Sequence, residues 1–112
     1  MGGEVLDVIP VREPNVAVRI YTASDVGQVA CLAADGSKIW RLDAGEPLTS
    51  IAVDRTTVAL GCLSGGVQLR SVKNGALQSI CVLDGAVLRM SANPARKRRF
   101  VGATERGTIF CV

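Results

Sequence analysis

The sequence predicts an all-β fold made of antiparallel four-stranded units that repeat along the chain. Three observations carry that expectation. Short apolar runs recur throughout, each bounded by Gly, Asn, Asp or Pro turn signals. The composition suits strands and turns: 48% of the 112 residues are hydrophobic, 12 are glycine, and aromatics make up only 4%. Turn landmarks also return at a nearly fixed interval. The net charge of +3 is too small, and its signs too interspersed, for a disordered chain.

The elements follow in order. Val5–Val11 reads as a strand, and its Pro10 demotes it to a sheet edge or strand end, because proline cannot donate to a ladder. Residues 12–15 turn, and 16–22 (VAVRIYT) form a second strand. Ser24-Asp25-Val26-Gly27 turns into Gln28–Ala33, and Asp35-Gly36 is a hairpin signal leading to a fourth strand at 38–42. Residues 43–47 link onward. Leu48–Val53 begins a second unit, and Thr57–Cys62 is so apolar that it predicts a strand buried on both faces. Residues 67–72 alternate, with Val67 and Leu69 on one face and Gln68 and Arg70 on the other. Asn74-Gly75 turns into a strand at 77–83, which is too short and too β-branched for a helix. A third unit starts at 86–92, continues through 99–104 and ends on 108–112, where a fourth strand is expected next.

Three landmarks set the period. Gly27, Gly66 and Gly107 end similar turns, 39 and 41 residues apart. Asp35-Gly36 and Asn74-Gly75 are 39 apart, and residues 58–62 match 99–103 at an offset of 41. A period near 40 with four strands per unit is the spacing of propeller blades. One domain over 1–112 therefore holds units at about 5–43, 47–83 and 86–112. That makes two and three-quarter blades of an incomplete propeller, whereas propellers close with four to eight. Unclosed end sheets leave large apolar faces in water, which soluble monomers avoid. The expected partners are the missing blades, other protein chains, or further copies of this chain pooling their units into a ring.

In layout, residues 48–83 resemble a WD40-type blade. Leu48–Val53 takes the innermost place, Thr57–Cys62 the second, 67–72 the third and 77–83 the outer one. Gly75 matches the glycine that precedes the family's outer strand. The sequence departs from the pattern at Arg70-Ser71-Val72, where the name-giving Trp-Asp would stand, and it has no histidine for the usual Gly-His. The resemblance implies a non-catalytic scaffold in an intracellular complex, making contacts through blade rims and the central opening. Residues 34–40 (ADGSKIW) are similar to the repeat of quinoprotein-like propellers, which implies a fragment of such an enzyme as the alternative. The plainer role for Trp40 is packing between neighbouring blades.

The residues themselves give little for catalysis. Without histidine, Ser-His-Asp and Cys-His arrangements are excluded. Asp25, Asp35, Asp43, Asp54 and Asp84 mostly sit in turns and links, where aspartate serves its own backbone. Ser64-Gly65-Gly66 joins two strands and does not open a helix, so it is no phosphate cradle. Cys31, Cys62, Cys81 and Cys111 show no metal-ligand spacing and are expected as small buried hydrophobes. No catalytic, cofactor-binding or metal-ligating residue is expected, and no cofactor. The one charged feature is Arg96, Lys97, Arg98 and Arg99, with Arg89 and Arg106 in support. These four are the candidate contact for an anion or acidic partner, and nucleic acid is the alternative ligand. No aromatic is placed among them for base stacking. The plainer role is a solvated turn that discourages edge pairing. The N-terminus shows no secretory signal, and position 6 is Leu where myristoylation wants Ser or Thr. No apolar run nears the roughly 20 residues of a membrane span. The expected location is intracellular, in the cytoplasm, with the nucleus as the alternative.

Overall fold

The computed structural model describes the backbone of residues 5–11, and residues 19–92 and 100–112 in full. These residues form eleven antiparallel strands and, among them, no helix. The first sheet holds β1 (Val5–Val11), β2 (Arg19–Ser24), β3 (Gln28–Ala33) and β4 (Lys38–Asp43) in that order. The second holds β5 (Leu48–Val53), β6 (Thr57–Cys62), β7 (Gly66–Ser71) and β8 (Leu77–Val82), again in order. The third holds β9 (Val87–Ala92), β10 (Phe100–Thr104) and β11 (Ile109–Cys111). Pro10 lies in β1, which is an edge strand, the part of a sheet where proline is tolerated.

The first strands β1 and β9 both pack beside β5, so the three sheets fan out from their first strands. The molecule measures 39 × 35 × 20 Å. Its thin dimension is about the length of one six-residue strand at ~3.3 Å per residue. Each sheet then has a leading face toward the preceding sheet and a trailing face toward the next.

Two apolar clusters fill the junctions. In the first, the trailing face of sheet one (Tyr21, Ala23, Val29, Cys31, Trp40) meets Leu48, Ile51, Val58, Leu60 and Cys62 of sheet two. In the second, Ala52, Ala59 and Val67 meet Val87, Phe100 and Phe110 of sheet three. Alternate residues of β6 serve the two clusters, and all six of its residues are buried. Burying one such Val or Leu side chain stabilises the fold by about 1.5–3 kcal/mol.

The structure corrects the register at three places. Strand β2 runs on to Ser24, which the sequence reading put in the turn. Ser24 is buried, and it closes the hairpin by taking the Gly27 N–H on its carbonyl and the Gln28 N–H on its Oγ, both at 3.1 Å. The glycine equivalent to Gly27 and Gly107 is Gly65, not Gly66. All three have positive φ, at 97°, 85° and 99° for Gly27, Gly107 and Gly65, and each donates to the last residue of the preceding strand. The true offsets between sheets are thus 38 and 42 residues. The 41-residue match of 58–62 to 99–103 slips by one, and in a strand that exchanges the faces. Phe100, not Arg99, stands where Val58 stands, and both are buried on leading faces.

Candidate functional site: rims and open faces

The sheets are tied by polar bonds as well as packing. Trp40 Nε1 donates to the Val72 carbonyl at 2.9 Å, and its ring lies 6.2 Å from that of Tyr21. Trp40 therefore packs between the first and second sheets. Gln68 Nε2 donates to the Ala44 carbonyl at 2.9 Å, across the same junction. Arg70 extends that line, donating from Nε to Gln68 Oε1 and from Nη1 to the Gly75 carbonyl. Gln68 and Arg70 thus share the face opposite Val67 and Leu69, and they anchor the turn before β8 as well as the link before β5.

In an antiparallel meander, alternate connections lie at opposite ends of the strands. One rim gathers the β2–β3, β6–β7 and β10–β11 turns with the β4–β5 and β8–β9 links. There the turns clamp the links. The Ala44 N–H donates to Gly27, Leu48 to Asp25, Leu63 to Pro47, Leu83 to Gly65, and Glu105 to Ala86, all between 2.7 and 3.1 Å. Asp84 accepts the Thr104 hydroxyl at 2.9 Å and the Thr108 hydroxyl. These bonds, Thr108's first, hold its carboxyl below the usual carboxylate range. Glu46 accepts the Ser64 hydroxyl. Among the described residues, this rim carries Asp25, Asp43, Glu46, Asp84 and Glu105 against Arg106 alone. The sequence reading missed this segregation, although counting charges in every second connection would have found it.

At the other rim, turn side chains cap their own backbone, as expected for Asp and Asn. Asp35 Oδ1 accepts the Ser37 N–H, Asp54 Oδ1 those of Thr56 and Thr57, and Asn74 Oδ1 that of Ala76. The candidate contact residues Arg96, Lys97, Arg98 and Arg99 lie outside the described residues. Arg106 lies in the turn between β10 and β11, at the far end of the sheet from Ala92 and Phe100, and Arg89 sits within β9 opposite Ala103.

The cysteines divide. Cys31 and Cys62 are buried as expected, but Cys81 is half-buried and Cys111 is exposed. None is in a disulfide. Burial pushes the Cys62 thiol up to about 12, aided by the Glu46 charge. Cys111 is exposed because it lies on the trailing face of the last sheet, with Val101 and Ile109. Ile109 is 84% exposed. Leu88 is exposed on β9 as well. On the leading face of the first sheet, Ile39 is exposed and Ile20, Ala30 and Leu32 are half-buried. Among the described residues, no group of three potential metal ligands is brought together.

No protein-family model and no curated protein matches the sequence. Solved structures do match the fold. The chain of a structure of BBS1N in complex with ARL6DN superposes with a TM-score of 0.81 at 16% identity, over 99% of this chain and 38% of that one. The Cps50 (Swd1) β-propeller domain of Myceliophteria thermophila gives 0.78 at 16% identity, over 100% and 36%. BamB from Moraxella catarrhalis gives 0.76 at 22% identity, over 96% and 31%. The fold is a β-propeller. WD40-type propellers are among its structural neighbours, and each sheet described above is a blade. The chain spans about a third of the length of these neighbours.

Proposed function

We propose that this chain is a non-catalytic protein-interaction scaffold, a propeller segment that offers its rim turns to protein partners inside the cell. The observation that carries this reading is the clamped rim. Five backbone hydrogen bonds fix the turns and links to one another, and the charged residues of this rim are exposed or half-exposed. A surface held this rigidly binds without the entropic cost of ordering loops. The acidic excess on that rim selects for basic partner surfaces and speeds encounter with them. Support by analogy comes from BBS1N, a neighbour of the same fold crystallised in complex with ARL6DN.

Carboxyl-directed cross-linking in cell extract, followed by mass spectrometry, tests the reading. Partner cross-links should concentrate on Asp25, Glu46 and Glu105, and the triple variant Asp25→Asn, Glu46→Gln, Glu105→Gln should lose the partner while keeping its circular dichroism. Partner binding that survives this variant but disappears when Arg96–Arg99 are neutralised would replace this reading with the basic-segment one.

A further inference from the structure

Among the described residues, each blade ends on an outer strand with one unpaired edge: β4, β8 and β11. Two of these edges are blunted in the ways that proteins protect an edge. Strand β4 carries Lys38, Arg41 and Asp43, and β11 is three residues long. Strand β8 is six residues long and, as LQSICV, has neither a charge nor a proline. Its one irregularity skips Gln78, near its start. Leu77, Ile80 and Val82 pair with Arg70, Gln68 and Gly66, which places all three on the leading face of blade two. They are 48%, 57% and 77% exposed, although blade one packs on that face and blade three on the other. The backbone agrees with the side chains. Leu83 N–H donates to the Gly65 carbonyl at 2.8 Å, and bonded pairs alternate along an antiparallel ladder, so Cys81 and Val67 form the next bonded pair. The N–H and C=O groups of Ile80 and Val82 therefore point away from β7, out of the sheet edge. One row of residues offers both open backbone groups and exposed apolar side chains.

We propose that β8 is a docking edge for an extended peptide segment of a protein partner, which joins blade two as a further antiparallel strand. This rests on the scaffold reading above and names the form that the partner takes. Main-chain hydrogen bonds to Ile80 and Val82 hold the segment, and its alternate, apolar side chains lie beside theirs on the leading face. Antiparallel pairing continues the sheet and is the more stable per residue. Strand β8 runs from the turn that holds Lys73 toward Asp84, on the carboxylate-rich rim. An antiparallel segment therefore has its N-terminal end at that rim. Basic residues there, followed by alternating apolar ones, complement both the rim and the edge. A folded second copy fits less well. The outer strands lie on the convex circumference of the fan, where two rigid bodies meet along little more than one strand. A strip ~20 Å long and ~4.8 Å wide is far short of the ~800 Å² per partner of a standard interface.

The probe is a fluorescent peptide of three lysines followed by alternating valine and threonine, titrated into the whole chain. Its binding should slow amide exchange at Ile80 and Val82 by roughly tenfold or more and leave Cys81, already bonded to Val67, unchanged. Val82→Lys charges the edge at an exposed position and should weaken binding about tenfold with the circular dichroism unchanged. The same peptide N-methylated at its valines keeps every side chain, loses the donors that face β8, and should not bind. Moving the lysines to the C-terminal end should weaken binding. The rim variant Asp25→Asn, Glu46→Gln, Glu105→Gln separates this proposal from the rim reading. Binding lost in the rim variant but kept in Val82→Lys overturns strand docking and leaves the rim reading standing. Binding lost in Val82→Lys but kept in the rim variant supports strand docking and removes the role of the rim. No binding by the peptide, undiminished binding after N-methylation, tighter binding with the lysines reversed, or self-association of the chain that Val82→Lys abolishes would each overturn the proposal.

Discussion

Gly102 leaves no room for a side chain. A Cβ there would meet the Arg89 carbonyl oxygen and lie 2.6 Å from Phe110 Cζ, so the Phe110 ring takes the place a side chain would fill. Gly36 is the opposite case, with open space around its Cβ position but a φ of +87°. Gly102→Ala should therefore cost about 2–3 kcal/mol through overpacking, and Gly36→Ala about 1 kcal/mol through backbone strain alone. Urea midpoints of the two variants check the order. Asp84 titrates in the acid range. Its folded carboxyl is held low by Thr108 and Thr104, so its contribution is present above the ordinary carboxylate pKa and is lost as pH falls through the lowered one. Stability measured from neutral pH downward should fall more steeply for wild type than for Asp84→Asn. Alkylation in native buffer should spare Cys31 and Cys62 until denaturant is added, because both are buried.

At the scale of the element, the first blade junction depends on the outer strand β4 as much as on the inner ones. Trp40→Phe keeps most of the apolar contact but leaves the Val72 carbonyl without its Nε1 donor, and should cost about 1 kcal/mol. Trp40→Ala should cost about 3–5 kcal/mol, because the cavity opens within the junction. Thermal unfolding of both separates the hydrogen bond from the packing. Strand β6 was fully legible in the sequence: TVALGC has no polar face, and a strand without one must be covered on both sides. The fate of Trp40 was legible too, since one aromatic in a chain with few of them packs best where two sheets meet. The face assignment of β10 was not. Residues 58–62 and 99–103 share a glycine at the fourth place in sequence, yet Gly61 opens toward Val87 while Gly102 lies under Phe110. The one-residue difference between turns, unreadable from similar residue types, reverses the faces.

For the whole molecule, the decisive quantity is how much apolar face stays open. Ile109, Val82, Leu63, Ile80 and Leu88 are all more than half exposed, and Ile109 and Leu88 lie on the last blade. The rims add an electrostatic signature at the same scale. Contacts made through the carboxylate-rich rim should weaken as salt rises, because exposed charges are screened beyond about 8 Å at physiological ionic strength.

The sequence by itself determined the strand order, the four-stranded repeat and the places of the turns. These are local properties, written in alternation, in Asp-Gly and Asn-Gly pairs, and in glycines that can take positive φ. It also indicated that the end sheets would be apolar. Only the tertiary structure decided which residue of each repeat faces which neighbour, because a single residue gained or lost in a turn leaves the pattern intact and exchanges the faces. The five carboxylates of one rim were countable in every second connection of the sequence, and strands that run up and down bring those connections together although they lie about twenty residues apart.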